Sequence, residues 1–99
     1  MAFVVIDAQL TSSTLGGKRH PFCEGYCPHL VAERDGIYLG VRLVDCPEMV
    51  QPGETKRLKF QLLYYPQVDY SPMEIGSAVD IREGGNTIGQ GRVVSMDFH

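Results

Sequence analysis

Ninety-nine residues suit one domain, expected over 1–99, and a chain of this size buries about 60–65% of the surface its unfolded form exposes, enough for a single core. A hydrophobic share of 43% with a net charge of only −3 excludes the disordered class, which needs low hydrophobicity and high charge. Nine Lys and Arg against twelve Asp and Glu argue against a protein that grips phosphates through bulk charge.

Along the chain the apolar residues recur mostly with a period of two, the signature of strands with one face in a core. From Phe3 to Leu10 this puts Val4, Ile6, Ala8 and Leu10 on one face. Residues 11–29 form a long irregular stretch. Ile37, Leu39, Val41 and Leu43 then share a face, with Tyr38, Gly40 and Arg42 opposite. Pro52-Gly53 marks a turn, because proline presets φ and glycine follows it readily. In the next run Leu58, Phe60, Leu62 and Tyr64 face one way, while Arg57, Lys59 and Gln61 face the other. A second irregular stretch covers 66–74. Finally, Ser77–Glu83 and Thr87–Phe98 flank Gly84-Gly85, a pair suited to a tight hairpin. No window carries helical spacing. The pattern predicts an all-β chain of five to seven strands, closed into a small barrel so that no edge stays exposed.

Compartment is read from two features. The stretch before Asp7 has no basic region and too short an apolar run for a signal peptide, and no segment has the ~20 apolar residues of a membrane span. Three cysteines leave one unpaired in any pairing scheme, which is not a disulfide framework. A cytoplasmic protein is expected, with no membrane contact.

Three segments resemble a known family. They are Gly16-Gly17-Lys18-Arg19-His20-Pro21-Phe22 running into Gly25-Tyr26-Cys27-Pro28; Met49-Val50-Gln51-Pro52-Gly53-Glu54; and Ile81-Arg82-Glu83-Gly84-Gly85-Asn86-Thr87-Ile88-Gly89-Gln90-Gly91. In order and spacing they are similar to the third, C-terminal β-barrel domain of translation elongation factor Tu, and the similarity spans essentially the whole chain. The resemblance implies a single six-stranded antiparallel closed β-barrel without catalytic residues. In that family the domain packs on a second barrel and a GTPase domain, and touches the T-stem of aminoacyl-tRNA. Matched position by position, the implied RNA-binding residues are Lys18 and Arg19 in the first loop, and Glu83 and Gly84 in the hairpin. Lys18 stands where the family has Arg, and Arg19 where it has His; an ammonium does not reproduce a guanidinium's bidentate grip.

The chain departs from the family at Asn86 and Cys27, each in place of an arginine. In the last strand Gln90 and Arg92 replace apolar residues while sharing the parity of Ile88, Val94 and Met96. Either they adapt formerly packed surface to water, or a bulge at Gly89 or Gly91 turns them outward. No phosphate loop of the glycine–lysine type is present, which excludes GTP hydrolysis by this chain.

His20, Cys23, Cys27 and His29 are all zinc-ligand types, but their spacing matches no zinc motif, and small half-buried thiols account for the cysteines; Cys46 reads as core. Neither metal nor cofactor is expected. Asp80 with Glu83, or Asp69 with Glu74, lacks a nearby nucleophile or oxyanion hole, so solvated loop and strand-end carboxylates describe them better and no enzyme is expected. Lys56, Arg57 and Lys59 make either an anion-facing stripe or, preferably, a solvated strand face. Leu63, Tyr65, Tyr70 and Met73, together with Gln90 and Arg92, are the candidate protein-interaction residues. The alternative for the aromatics is a loop folded over the barrel end that buries its rings. The leading expectation is a non-enzymatic module that binds another protein. A tRNA-stem partner is disfavoured by the net charge, and a self-associating homodimer is the third reading.

Overall fold

In a computed structural model of the chain, the residues described are 1–10, 23–33, 36–46, 50–51 and 53–98. They form six strands: β1 (Ala2–Leu10), β2 (His29–Ala32), β3 (Tyr38–Val44), β4 (Thr55–Leu62), β5 (Ala78–Glu83) and β6 (Asn86–Phe98). All pairings are antiparallel, and the order β1-β4-β3-β2-β5-β6 closes on itself. This is the all-β, six-stranded closed barrel that alternation and resemblance predicted.

Closure depends on β1, whose nine residues are hydrogen-bonded on both sides, to β4 and to β6. Its alternation is strict: Val4, Ile6, Ala8 and Leu10 are buried, while Asp7 and Gln9 are exposed. Leu39, Val41 and Leu43 of β3 and Leu58, Phe60 and Leu62 of β4 fill the same interior. Beside the short β2, residues 25–28 prolong the ladder along β3, through Gly25 N–H to Leu43 C=O (2.8 Å) and Leu43 N–H to Tyr26 C=O (2.8 Å). Backbone groups of β3 are thereby satisfied beyond the reach of β2.

Two ends of the predicted faces differ from expectation. Alternation predicts Ile37 and Tyr64 inward, yet both are exposed, because β3 begins at Tyr38 and β4 ends at Leu62. Alternation has no force once the ladder stops.

β6 resolves the parity question in favour of bulges, though not at the glycines. Ile81 pairs with Gly89 and Arg82 with Thr87, leaving Ile88 as the extra residue. Val5 pairs with Ser95 and Ile6 with Val93, leaving Val94 as the second. Each extra residue reverses the inward and outward sets beyond it. Between them Gln90 and Arg92 face water, while Gly89 and Gly91 turn inward against β1. After the second bulge Met96 points back to the core.

Candidate functional site

The loop joining β4 to β5 is built rather than loose. Leu63 N–H donates to Gly40 C=O (3.3 Å). Tyr70 Oη donates to the same carbonyl (2.7 Å) and accepts from Tyr64 N–H (3.2 Å). At the far end Gly76 N–H donates to Val93 C=O (2.8 Å) and Val93 N–H to Ser77 C=O (3.0 Å). Asp69 caps a turn, accepting from Ser71 N–H (2.9 Å) and Ser71 Oγ (3.0 Å), as Asx turns do. Both loop ends are thus tied to the barrel, one to β3 and one to β6.

Between these ties Tyr70, Pro72 and Met73 are buried, and Tyr70 and Met73 belong to the hydrophobic core. The expectation that Tyr70 and Met73 stand on an exposed patch is therefore corrected. Their side chains close the barrel end, which the alternating pattern of the strands leaves open. Burial also pushes the Tyr70 hydroxyl above the ordinary tyrosine range. Leu63 is half-buried, and the exposed apolar residues of the region are Tyr64, Tyr65, Val68 and Ile75.

The same loop encloses a groove of about 510 Å³. Tyr65, Pro66 and Val68 line it beside the core residues Tyr70 and Met73, and Met96 of β6 completes it. Its polar lining is Gln67, Asp69, Ser71 and Glu74, with no lysine or arginine among the lining residues. Of the candidate interaction residues, Tyr65, Tyr70 and Met73 line this groove at different depths, and Leu63 does not. Val68 and Met96 were missed. A period-two pattern carried through β6 gave Met96 its inward sense, but nothing local placed it beside a loop more than twenty residues away.

Gln90 and Arg92 lie elsewhere, in a second hollow of about 430 Å³ lined also by Asp7, Glu33, Asp80 and Gly91. The two hollows share no lining residue, although Arg92 Nη1 donates to Gly76 C=O (3.0 Å) at the loop's end.

Of the implied RNA contacts, Lys18 and Arg19 lie outside the described residues. Gly84 is exposed at the hairpin tip with φ 61°, and Glu83 Oε1 accepts from Tyr26 Oη (2.7 Å). Burial and this carboxylate together push the Tyr26 hydroxyl well above its usual range. The neighbouring Arg82 is already engaged: Nη2 contacts Asp80 (3.2 Å), Nη1 donates to Tyr38 Oη (3.3 Å), and the guanidinium lies over the Tyr38 ring. Two cations of the basic cluster on β4, Arg57 and Lys59, are likewise paired. Arg57 binds Asp7 through two hydrogen bonds (2.8 and 3.1 Å), and Lys59 approaches Asp45 (3.6 Å) and covers the Phe3 ring. This is the solvated strand face rather than a bare cationic stripe.

Cys23, Cys27 and Cys46 form no disulfide; Cys46 is buried as expected, and burial raises its thiol pKa. His20 lies outside the described residues, among which no cluster of three His, Cys, Asp or Glu is placed to hold a metal. No helix among them is long and apolar enough to cross a membrane. No family model matches the chain.

Proposed function

We propose that this chain is a non-enzymatic binding module that recognises another protein through the groove of the β4–β5 loop. The observation that carries the reading is the groove itself: exposed Tyr65 and Val68 stand beside a core floor of Tyr70 and Met73. Apolar and aromatic groups in a concave site with a polar rim are the make-up of a protein-binding surface. The closed six-stranded barrel and the Gly84-Gly85 hairpin support descent from the third-domain barrel of elongation factor Tu, here working in the cytoplasm. The RNA reading has less support, because Arg82, Arg57 and Lys59 each lie against a carboxylate.

The test is affinity capture from lysate by the wild-type chain and by a Val68→Ser variant. Recovery of one protein by the wild type and its loss with the variant is the expected result. Equal recovery by both, with a low-salt gel shift tighter than the ~10⁻⁴–10⁻⁶ M of non-specific binding, would overturn it in favour of RNA.

A further inference from the structure

We propose that the groove takes an extended peptide segment in which an apolar side chain is flanked by lysine or arginine. This rests on the protein-recognition reading above and names the chemistry of the partner.

Every strand has a neighbour on both sides, so a partner has no open edge on which to add a strand. Recognition falls to side chains in a groove. Here the apolar part is Tyr65, Pro66, Val68, Tyr70, Met73 and Met96. Two methionines give the lining a soft, adaptable surface, suited to one inserted aliphatic or aromatic residue.

Charge then selects the flanks. Asp69 and Glu74 both line the groove, and among the described residues no lysine or arginine does. The Asp69 carboxylate is exposed yet held by two hydrogen bonds from Ser71, so its charge has a fixed position before any partner arrives. Preorganisation of this kind lowers the ordering cost of binding. A basic flank meets the complementary charge of Asp69, whereas an acidic peptide or a phosphate meets like charge there. A second copy docked by the same patch sets Asp69 and Glu74 against their own equivalents across the two-fold axis, which disfavours the homodimer at this face.

Fluorescence anisotropy tests this with labelled short peptide pools. Each pool has a central Leu, Met or Phe, flanked by Lys/Arg in one pool and by Asp/Glu in the other. The basic pool is expected to bind about tenfold tighter or better, with affinity falling as salt is added. Asp69→Asn, which keeps the oxygen that caps Ser71 N–H, is expected to weaken binding about two- to fivefold. Amide NMR shifts on titration should appear at Val68, Tyr70, Met73 and Met96 and not at Gln90 or Arg92.

Equal affinity for the two pools, shifts centred on Gln90 and Arg92, or no binding of either pool by the folded protein would each overturn the inference. If the pools fail while Val68→Ser still abolishes capture from lysate, the protein-recognition reading survives and the peptide chemistry alone is wrong.

Discussion

Tyr70 Oη donates to the carbonyl of Gly40 at 2.7 Å while accepting from Tyr64 N–H at 3.2 Å, so one buried hydroxyl fastens the β4–β5 loop to β3. The Tyr64 ring covers Gly40 from outside: a Cβ on that glycine would lie 2.5 Å from it. A strand glycine of this kind marks a close approach.

Tyr70→Phe keeps the ring and removes the clasp. Tyr64 N–H then loses its acceptor, and the Gly40 carbonyl keeps only the longer bond from Leu63. The expected loss is about 1–3 kcal/mol, the cost of an unsatisfied buried polar group. Urea unfolding measures it; no loss would mean the hydroxyl does not hold the loop.

Three glycines on or beside β6 should separate sharply. A Cβ at Gly91 would sit 2.5 Å from the backbone oxygen of Asp7, where β1 and β6 are paired and neither can retreat, so Gly91→Ala should cost roughly 1–3 kcal/mol. Gly84 has φ 61° at the first central position of the two-residue hairpin, so Gly84→Ala should cost about 1–2 kcal/mol through backbone strain alone. Gly85 has neither a positive φ nor a heavy atom within 4 Å of a Cβ, so Gly85→Ala should stay within about 0.5 kcal/mol. Thermal melts resolve the series, because 1 kcal/mol shifts the midpoint by about 4–8 °C in a domain of this size.

Floor and wall of the groove should behave as different classes of residue. Met73 is core, so Met73→Ala is expected to cost about 2–5 kcal/mol. Val68 is 38% exposed, so Val68→Ser should change stability by less than about 0.5 kcal/mol while removing partner binding. A Val68→Ser protein that melts with wild type yet retains its partner would clear this residue of any part in recognition.

Alkaline stability follows from Tyr26. Its hydroxyl pKa is raised above the ordinary value of 10.0 by burial and by the Glu83 carboxylate that accepts its hydrogen bond. Above that pH the unfolded chain loses the tyrosine proton while the folded chain keeps it. The folded state then binds more protons, and stability falls as pH rises. The contribution is complete below pH 10 and declines above it, by at most about 1.4 kcal/mol per pH unit for one proton. Tyr26→Phe should flatten this part of the curve, and denaturation midpoints at stepped pH provide the measurement. An unchanged slope would show that Tyr26 titrates normally.

Much of this site was readable in part. Tyr65, Tyr70 and Met73 stood out as a cluster of large apolar residues in a long irregular stretch, and they do share one groove. Which were wall and which were floor was not readable, because burial in a loop follows from its docking and not from any period. Gln90 and Arg92 are candidates because polar residues stand there at inward parity, yet they face a different hollow.

Alternation is local, since each residue's neighbours two positions away report its face, and it marks β1, β3, β4, β5, β6 and the Gly84-Gly85 hairpin but not the four-residue β2. The sequence by itself also argued for an all-β chain and against one that grips phosphates through bulk charge. Tertiary structure alone decided the sense of β6, the pairing of Arg57 with Asp7 and the closing of the barrel end by Tyr70 and Met73. Each depends on register between segments far apart in sequence. The bulges at Ile88 and Val94 exist only relative to the partners β5 and β1, and two unpaired residues reverse the faces of a strand whose composition reads as continuous.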